Sequence, residues 1–180
     1  MKGIVFTTFN DMLEQKIGLE MWGDLLGSVQ PESGGAYTSA ADFSDQELLD
    51  IAAKLSNKAD TPVIDLVNGF GQYLFHVLAF KLSVFTNEMP NLMEFLKSID
   101  DVIRKEVRKP YQNSNLPSID KEQPKENSLT LPYHPTRKLC HLAECLINGA
   151  TEHYETNVKA SETAHMHNSA EKCTFFTRTL

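Results

Sequence analysis

The side chains most able to do chemistry in this chain lie in its second half. All three cysteines follow residue 139, and His165 lies between Cys140 and Cys173 in the sequence. Thiolate and imidazole groups are common zinc donors, although spacing of this kind is only moderately specific for a metal site.

Other classes of chemistry find little support in the sequence. No pair of nucleophile and base stands out. The short element Gly69-Phe70-Gly71 lies inside a predicted helix, whereas a phosphate-binding loop of the common type follows a strand. We therefore expect no enzymatic activity.

Composition and charge narrow the function further. The content of 41% hydrophobic and 23% charged residues is typical of a soluble globular protein, and 180 residues suffice for one domain. The net charge is −7 and the 17 basic residues form no long run, which argues against nucleic acid as a main partner. No apolar stretch reaches the ~18 residues of a membrane span, and residues 1–18 lack the apolar core of a signal peptide. Because three cysteines do not suggest a secreted disulfide framework, a cytoplasmic location is expected.

The first 111 residues are predicted to be mainly helical. Apolar spacing indicates a first helix that ends near Gly18 and a short second one after it. Ser44 and Glu47 have the spacing of a capping box at the start of a further helix. Residues 62–80 form the most apolar helix, and the last helix of this part breaks at Pro110.

The pattern changes after a polar connector at residues 112–127. Residues 128–135 are predicted to form a strand, in which Pro132 implies an edge or a break. A helix at 136–154 and a terminal hairpin follow. Helices first, and then a helix with a small antiparallel sheet, predict an α+β fold. The expected organisation is one domain at 1–180, with a helical subdomain at 1–111 and an αβ subdomain at 128–180.

Several short segments, taken in order, resemble the heme-nitric oxide/oxygen binding (H-NOX) family. They are MKGIVF at residues 1–6, GLEMWGDLL at 18–26, FGQYLF at 70–75, the pair Tyr133 and Arg137, and the His/Cys hairpin around residue 173. The resemblance extends over essentially the whole chain, and the order of the segments is what makes it specific. It implies a non-enzymatic sensor of a diatomic gas such as nitric oxide, which regulates a histidine kinase or a cyclic-di-GMP enzyme.

The resemblance also implies a heme b cofactor, held between the helical and sheet subdomains. In the family a Tyr-x-Ser-x-Arg motif binds the heme propionates, and the matching residues here are Tyr133 and Arg137. Pro135 replaces the serine of the motif, which removes a hydroxyl and a backbone donor. Thr136 is the neighbouring hydroxyl, although its side chain should point elsewhere.

Arg104 stands where the resemblance places the histidine that ligates the heme iron. The family pattern of acidic-Val-Ile-His-x-Glu-Val corresponds here to DVIRKEV at residues 101–107. A guanidinium stays protonated and offers no lone pair to iron, whereas a neutral imidazole does. The resemblance therefore implies that histidine ligation is altered or lost. Taken alone, Arg104 would be an ordinary helix arginine beside an apolar face, and it could also fill the vacated site and pair with an acidic group.

Two other histidines are candidates to replace the lost ligand. His76 lies on the apolar helix at 62–80, near the pocket side opposite the helix of Arg104, and is the alternative ligand. A lone histidine in such a helix is, however, more often a hydrogen-bonded core residue. His134 follows Tyr133, but alternation along a strand should turn it away.

A zinc site is the second implication of the resemblance, since some family members bind zinc with cysteines and a histidine from this helix and hairpin. Cys140 and Cys173 match cysteine ligands residue by residue. His165 stands where a further cysteine is found, and Glu162 where the histidine is found. All four carry zinc donors, and His167 is an alternative to Glu162. In the plainer interpretation, Cys140 packs in its helix and the histidines decorate an exposed hairpin.

Two hypotheses for function follow. The leading one is a nitric oxide or redox sensor of H-NOX type, with heme ligation altered or lost at Arg104. The alternative is a heme-independent zinc-thiolate redox sensor, in which oxidation of Cys140 and Cys173 releases the metal and loosens the hairpin. The first predicts a heme absorption band, and the second predicts about one zinc per chain.

Overall fold

The computed structural model has the predicted α+β order, with helices first and then one helix among the strands of an antiparallel sheet. It describes residues 1–81, 83–102, 118–119, 122–125, 128–134, 140–156, 158–164 and 173–179, with the backbone alone at most strand positions. The helices are α1 (Gly3–Val29), α2 (Asp45–Ala59), α3 (Val63–Lys81), α4 (Ser83–Glu88), α5 (Leu92–Val102) and α6 (Cys140–His153). The strands are β1 (Ser118–Ile119), β2 (Glu122–Lys125), β3 (Ser128–His134), β4 (Val158–Ala164) and β5 (Cys173–Thr179).

Residues 1–74 and 75–180 form two compact units, so the boundary between them falls inside α3. The prediction put the division at the connector, 112–127, part of which forms β1 and β2. The difference arises because α3 supplies side chains to two cores. Phe70 packs with Phe9 of the first unit, and Phe75 packs with Phe95 of the second.

α1 is one kinked element where the sequence predicted two helices. Gly18 has φ 80° and ψ 161° inside it, a conformation that glycine adopts without the strain of a side chain. The segment before the kink buries Phe6 and Phe9, and the segment after it buries Trp22 and Leu25. The break predicted near Gly18 is therefore present, as a kink rather than as a loop.

Ser44 caps α2 as predicted, but only half of the predicted capping box forms. The Ser44 side chain accepts a hydrogen bond from the backbone N–H of Gln46. Glu47 is buried, and its carboxylate accepts bonds from the hydroxyls of Ser33 at 2.5 Å and Tyr37 at 3.1 Å. Burial is also the main reason why the pKa of Tyr37 is raised. Glu47 thus anchors the loop before α2 instead of capping the helix.

Aromatic contacts fix the loop and α3 against α1 in the first unit. The Tyr37 ring stacks on Phe6 with 4.6 Å between ring centroids, and Phe43 lies 4.9 Å from Tyr37. Phe9 meets Phe70 of α3 edge-on at 4.9 Å. Such pairs add to the stabilisation that burial of these rings already gives.

The core of the second unit joins α3, α5, α6 and the sheet. Phe95 of α5 lies 5.7 Å from Phe75 and 5.5 Å from Tyr154, measured between ring centroids. The Tyr154 hydroxyl donates to the backbone carbonyl of Thr86 at 2.9 Å. The fully buried members of this core are Leu92, Leu96, Leu129, Leu131, Ala150 and Phe175.

β3 lies inside the sheet, so of the two alternatives predicted for Pro132, an edge or a break, the edge is wrong. The order is β1-β3-β5-β4, and β2 pairs with β3 on the same side as β1. β1 pairs with residues 133 and 134, and β2 pairs with residues 128 and 130. Pro132 pairs with Thr174 of β5, and it lies between the β3 residues with which β1 and β2 pair in the described part of the chain.

α3 is the one helix in the described part of the chain that is long and apolar enough to cross a membrane. Phe70, Leu74, Phe75 and Ala79 along it are nevertheless buried. These positions serve the two cores described above, so α3 is a core helix.

Candidate functional site

The register between β3 and β5 assigns Tyr133 to the strand face that contributes to the core. Tyr133 pairs with Cys173, and Leu131 pairs with Phe175. Alternate residues of a strand share a face, and Leu131 and Phe175 are buried. Tyr133 therefore occupies a position on the buried face of β3. His134, the next residue, occupies a position on the opposite face.

The register also relates the candidate zinc ligands to one another. Glu162 on β4 pairs with Phe175 on β5, two residues from Cys173. α6 begins at Cys140 and packs against β4. The backbone thus places Glu162 and Cys173 on adjoining strands, beside the helix that Cys140 starts.

Six of the residues that the sequence analysis singled out lie outside the described residues: Arg104, Pro135, Thr136, Arg137, His165 and His167. Among the side chains that the structure describes, no group of three His, Cys, Asp or Glu residues is arranged to hold a metal ion. That finding does not extend to Cys140, Glu162 and Cys173, of which only the backbone is described.

His76, the alternative heme ligand, lies on an accessible part of α3. Its imidazole Nε2 is 3.6 Å from a carboxylate oxygen of Glu152, and its side chain is 47% exposed. The ring of His153 lies 6.4 Å from that of His76, and Phe75 lies beside both. This environment is a contact with a carboxylate at the surface, and not the enclosed setting of a core histidine.

His141 is a potential donor that the sequence analysis did not single out. Its Nδ1 lies 3.4 Å from a Glu144 carboxylate oxygen. Its Nε2 is buried and has no hydrogen-bond partner in the described part of the chain. A carboxylate on one ring nitrogen orients the other toward a ligand at many metal sites. The spacing of three residues between His141 and Glu144 on a helix is the signal that could have identified the pair.

Cys145 is expected to be the least reactive thiol. It is 1% exposed, and burial, with the Glu144 charge adding to it, raises the pKa of the thiol to about 12. Iodoacetamide at neutral pH should therefore alkylate Cys145 at least about a hundredfold more slowly in the folded protein than in the denatured chain. Peptide mass spectrometry over time measures both rates. Equal rates would show that the site opens freely to reagent.

Comparisons with known proteins agree on one family. The family model described as Haem-NO-binding (HNOB) matches residues 2–162. The H-NOX protein from S. oneidensis in the Fe(II)NO ligation state is 31% identical, with a TM-score of 0.90, over 100% of this chain and 99% of that one. Unliganded Fe(II) H-NOX from K. algicida is 30% identical, with a TM-score of 0.85, over 100% and 97% of the two chains.

A third relative has the same extent of similarity. H-NOX from Shewanella woodyi, bound to IWP-051 in the Fe(II)CO ligation state, is 32% identical, with a TM-score of 0.87, over 100% of this chain and 95% of that one. No curated protein matches the chain. H-NOX domains are sensors without enzymatic activity, in agreement with the expectation from the sequence. The protein therefore belongs to the Haem-NO-binding family, as a heme-NO-binding sensory domain of H-NOX type.

Proposed function

We propose that this protein is an H-NOX sensor in which Arg104 has replaced the histidine that ligates heme iron. The observation that carries the proposal is the run DVIRKEV at residues 101–107, in a chain that is similar from end to end to H-NOX proteins in the Fe(II)NO and Fe(II)CO states. α5 leads to this run, and its Leu92 and Leu96 are buried in the core of the second unit. An arginine here leaves the iron without the imidazole that the resemblance expects.

The sequence keeps the residues that would hold the propionate end of a heme, Tyr133 and Arg137, but not the histidine that would hold its iron. Tyr133 has a position on the buried strand face, and its phenol would donate to a carboxylate together with the Arg137 guanidinium. When bound, heme supplies the iron that takes up a diatomic gas. His76 and His153 are both exposed in the described structure, which favours neither as a substitute ligand.

Heme titration of the purified protein tests the proposal. We expect bound ferrous heme, if any, to lack the absorption spectrum of five-coordinate histidine-ligated heme. The variant His76→Ala should leave the absorption spectrum unchanged, because its imidazole faces Glu152 at the surface. Loss of a Soret band on replacing His76, or on replacing His134, would identify a substitute ligand and contradict the proposed loss of histidine ligation.

The backbone register favours a zinc-thiolate redox switch as a second candidate function. Glu162 and Cys173 occupy adjoining strands, and α6 with Cys140 at its start packs against β4. His141, next to Cys140, adds a buried and unpartnered Nε2 among the described side chains. Oxidation of zinc-bound thiolates would release the metal and weaken the link between helix and strands.

Metal analysis of the reduced protein tests the zinc candidate. We expect about one zinc per chain, lost on treatment with peroxide. The variant Cys173→Ser should lose the metal, while Cys145→Ala, which removes the buried thiol of α6, should keep it. Reduced protein without zinc, or equal zinc in both variants, would contradict this candidate.

The signalling partner is proposed to be a histidine kinase or a cyclic-di-GMP enzyme, as the resemblance implies. Such an enzyme should change its rate of phosphate transfer or of dinucleotide turnover when the purified protein is added. Unchanged rates in both enzyme classes, at protein concentrations well above the enzyme's, would contradict this part of the proposal.

A further inference from the structure

The net charge of the protein is confined to the unit at residues 1–74. This unit has 11 acidic and 4 basic residues, which accounts for the whole charge of −7, and residues 75–180 have 13 of each. Two of the four lysines are engaged, because Lys2 pairs with Asp42 at 2.6 Å and Lys58 with Asp24 at 3.7 Å. The surface of this unit therefore presents an excess of carboxylates.

Besides the single Leu49 of α2, exposed apolar side chains occur as two neighbouring pairs on the same unit. On α1, just after the kink, Leu19 is 71% exposed and Met21 is 40% exposed. At the start of α3, Val63 is 41% exposed and Ile64 is 48% exposed. Adjacent exposed apolar residues of this size are a cost to a protein in water unless they have a binding role.

An ion pair brings these two places to the same end of the unit. Asp24, one turn after Met21, pairs with Lys58 in the last turn of α2. Asp60 then ends α2 at φ 48°, and the chain turns at once into α3. Only four residues separate Lys58 from Val63, so the start of α3 lies within about 18 Å of the residue that pairs with Asp24 of α1.

Carboxylates surround the exposed apolar residues. Glu20 lies between Leu19 and Met21, Asp65 follows Ile64, and both carboxylate side chains are exposed. We define the apolar–acidic surface as Leu19, Glu20, Met21, Val63, Ile64 and Asp65. An apolar centre with a charged rim is the usual composition of a protein–protein interface.

We infer that the apolar–acidic surface is a docking site for a protein partner that presents apolar side chains among lysines and arginines. Charge selects this occupant. A second copy of the chain would bring like charges together, and nucleic acid or an anionic membrane surface would be repelled. The inference rests on the proposed function only in that a sensor must act on a partner.

A labelled amphipathic helical peptide of leucine and lysine is the probe, and fluorescence anisotropy with the full chain gives its Kd. We expect binding that weakens as salt is added. The double variant Leu19→Ser with Ile64→Ser should bind at least about tenfold more weakly. The control Leu49→Ser removes a leucine of α2 whose 46% exposure is close to the 48% of Ile64, and its Kd should stay within about twofold of the parent.

A pair of charge variants makes the test independent of the apolar residues. Glu20→Lys with Asp65→Lys should weaken binding, whereas Asp11→Lys with Asp50→Lys changes the charge of the unit equally, away from the surface, and should weaken it less. Equal losses of affinity for the peptide in both pairs of variants would mean a general attraction between opposite charges and would overturn the inference. Absence of binding, or a dimer in sedimentation that Leu19→Ser dissolves, would overturn it as well. The readout needs no heme, so it is separate from the test of Arg104.

Discussion

The variant Arg104→His is expected to acquire about one heme per chain and to show a more intense Soret band than the parent protein. The substitution replaces a permanently protonated guanidinium by a neutral imidazole that can donate a lone pair to iron. Tyr133 and Arg137 would remain available for the propionates. Absorption spectra of both proteins, prepared side by side with the same heme supply, measure the gain.

The variant Arg104→Gln is the matched control for this gain. It removes the charge of the arginine without supplying an imidazole, so its absorption spectrum should resemble that of the parent. A folded Arg104→His protein without added heme colour would contradict the assignment of position 104 to the ligand site. If Arg104→Gln took up as much heme as Arg104→His, removal of the positive charge would be sufficient for heme uptake, and the gain could not be assigned to the imidazole.

Phe175→Ala is expected to destabilise the protein by about 3–5 kcal/mol. Phe175 is 1% exposed and pairs with Leu131 in the centre of the sheet, within the core of the second unit. Truncation removes apolar area and leaves a cavity that the surrounding leucines can fill only in part. Chemical denaturation, followed by circular dichroism, measures the change in the free energy of unfolding.

Phe80→Ala is the matched control for this loss of packing. Phe80 is 84% exposed on α3, so its removal should change the free energy of unfolding by no more than about 0.5 kcal/mol. Similar losses in the free energy of unfolding for the two variants would mean that Phe80 is covered or that Phe175 is not enclosed. Either result would contradict the core as described.

The elements that sequence reasoning placed well are those whose apolar spacing is strong. The strand predicted at 128–135 is β3 at 128–134, and the helix that follows it is α6. Of the two alternatives for Pro132, an edge or a break, the edge was wrong because β3 pairs with β1 and β2, whose polar sequence carries no strand signal. Glu47 was expected to cap its own helix, but tertiary contacts with Ser33 and Tyr37 take its carboxylate.

The candidate site was predicted only in part, for similar reasons. Arg104 and the zinc ligand set came from the family resemblance, because nothing in the local pattern distinguishes them from ordinary helix and hairpin residues. His141 was overlooked because the burial of its Nε2 depends on tertiary packing. His76 has the apolar sequence neighbours of a core residue, yet its imidazole is exposed beside Glu152, since helix periodicity places it off the face of Phe75.

Resonance Raman spectroscopy of the ferrous protein after heme addition tests the loss of the histidine anchor most directly. The parent protein is predicted to show no iron–histidine stretching band, and Arg104→His is predicted to show one. An iron–histidine band in the parent would prove that an imidazole still holds the metal and would contradict the role assigned to Arg104.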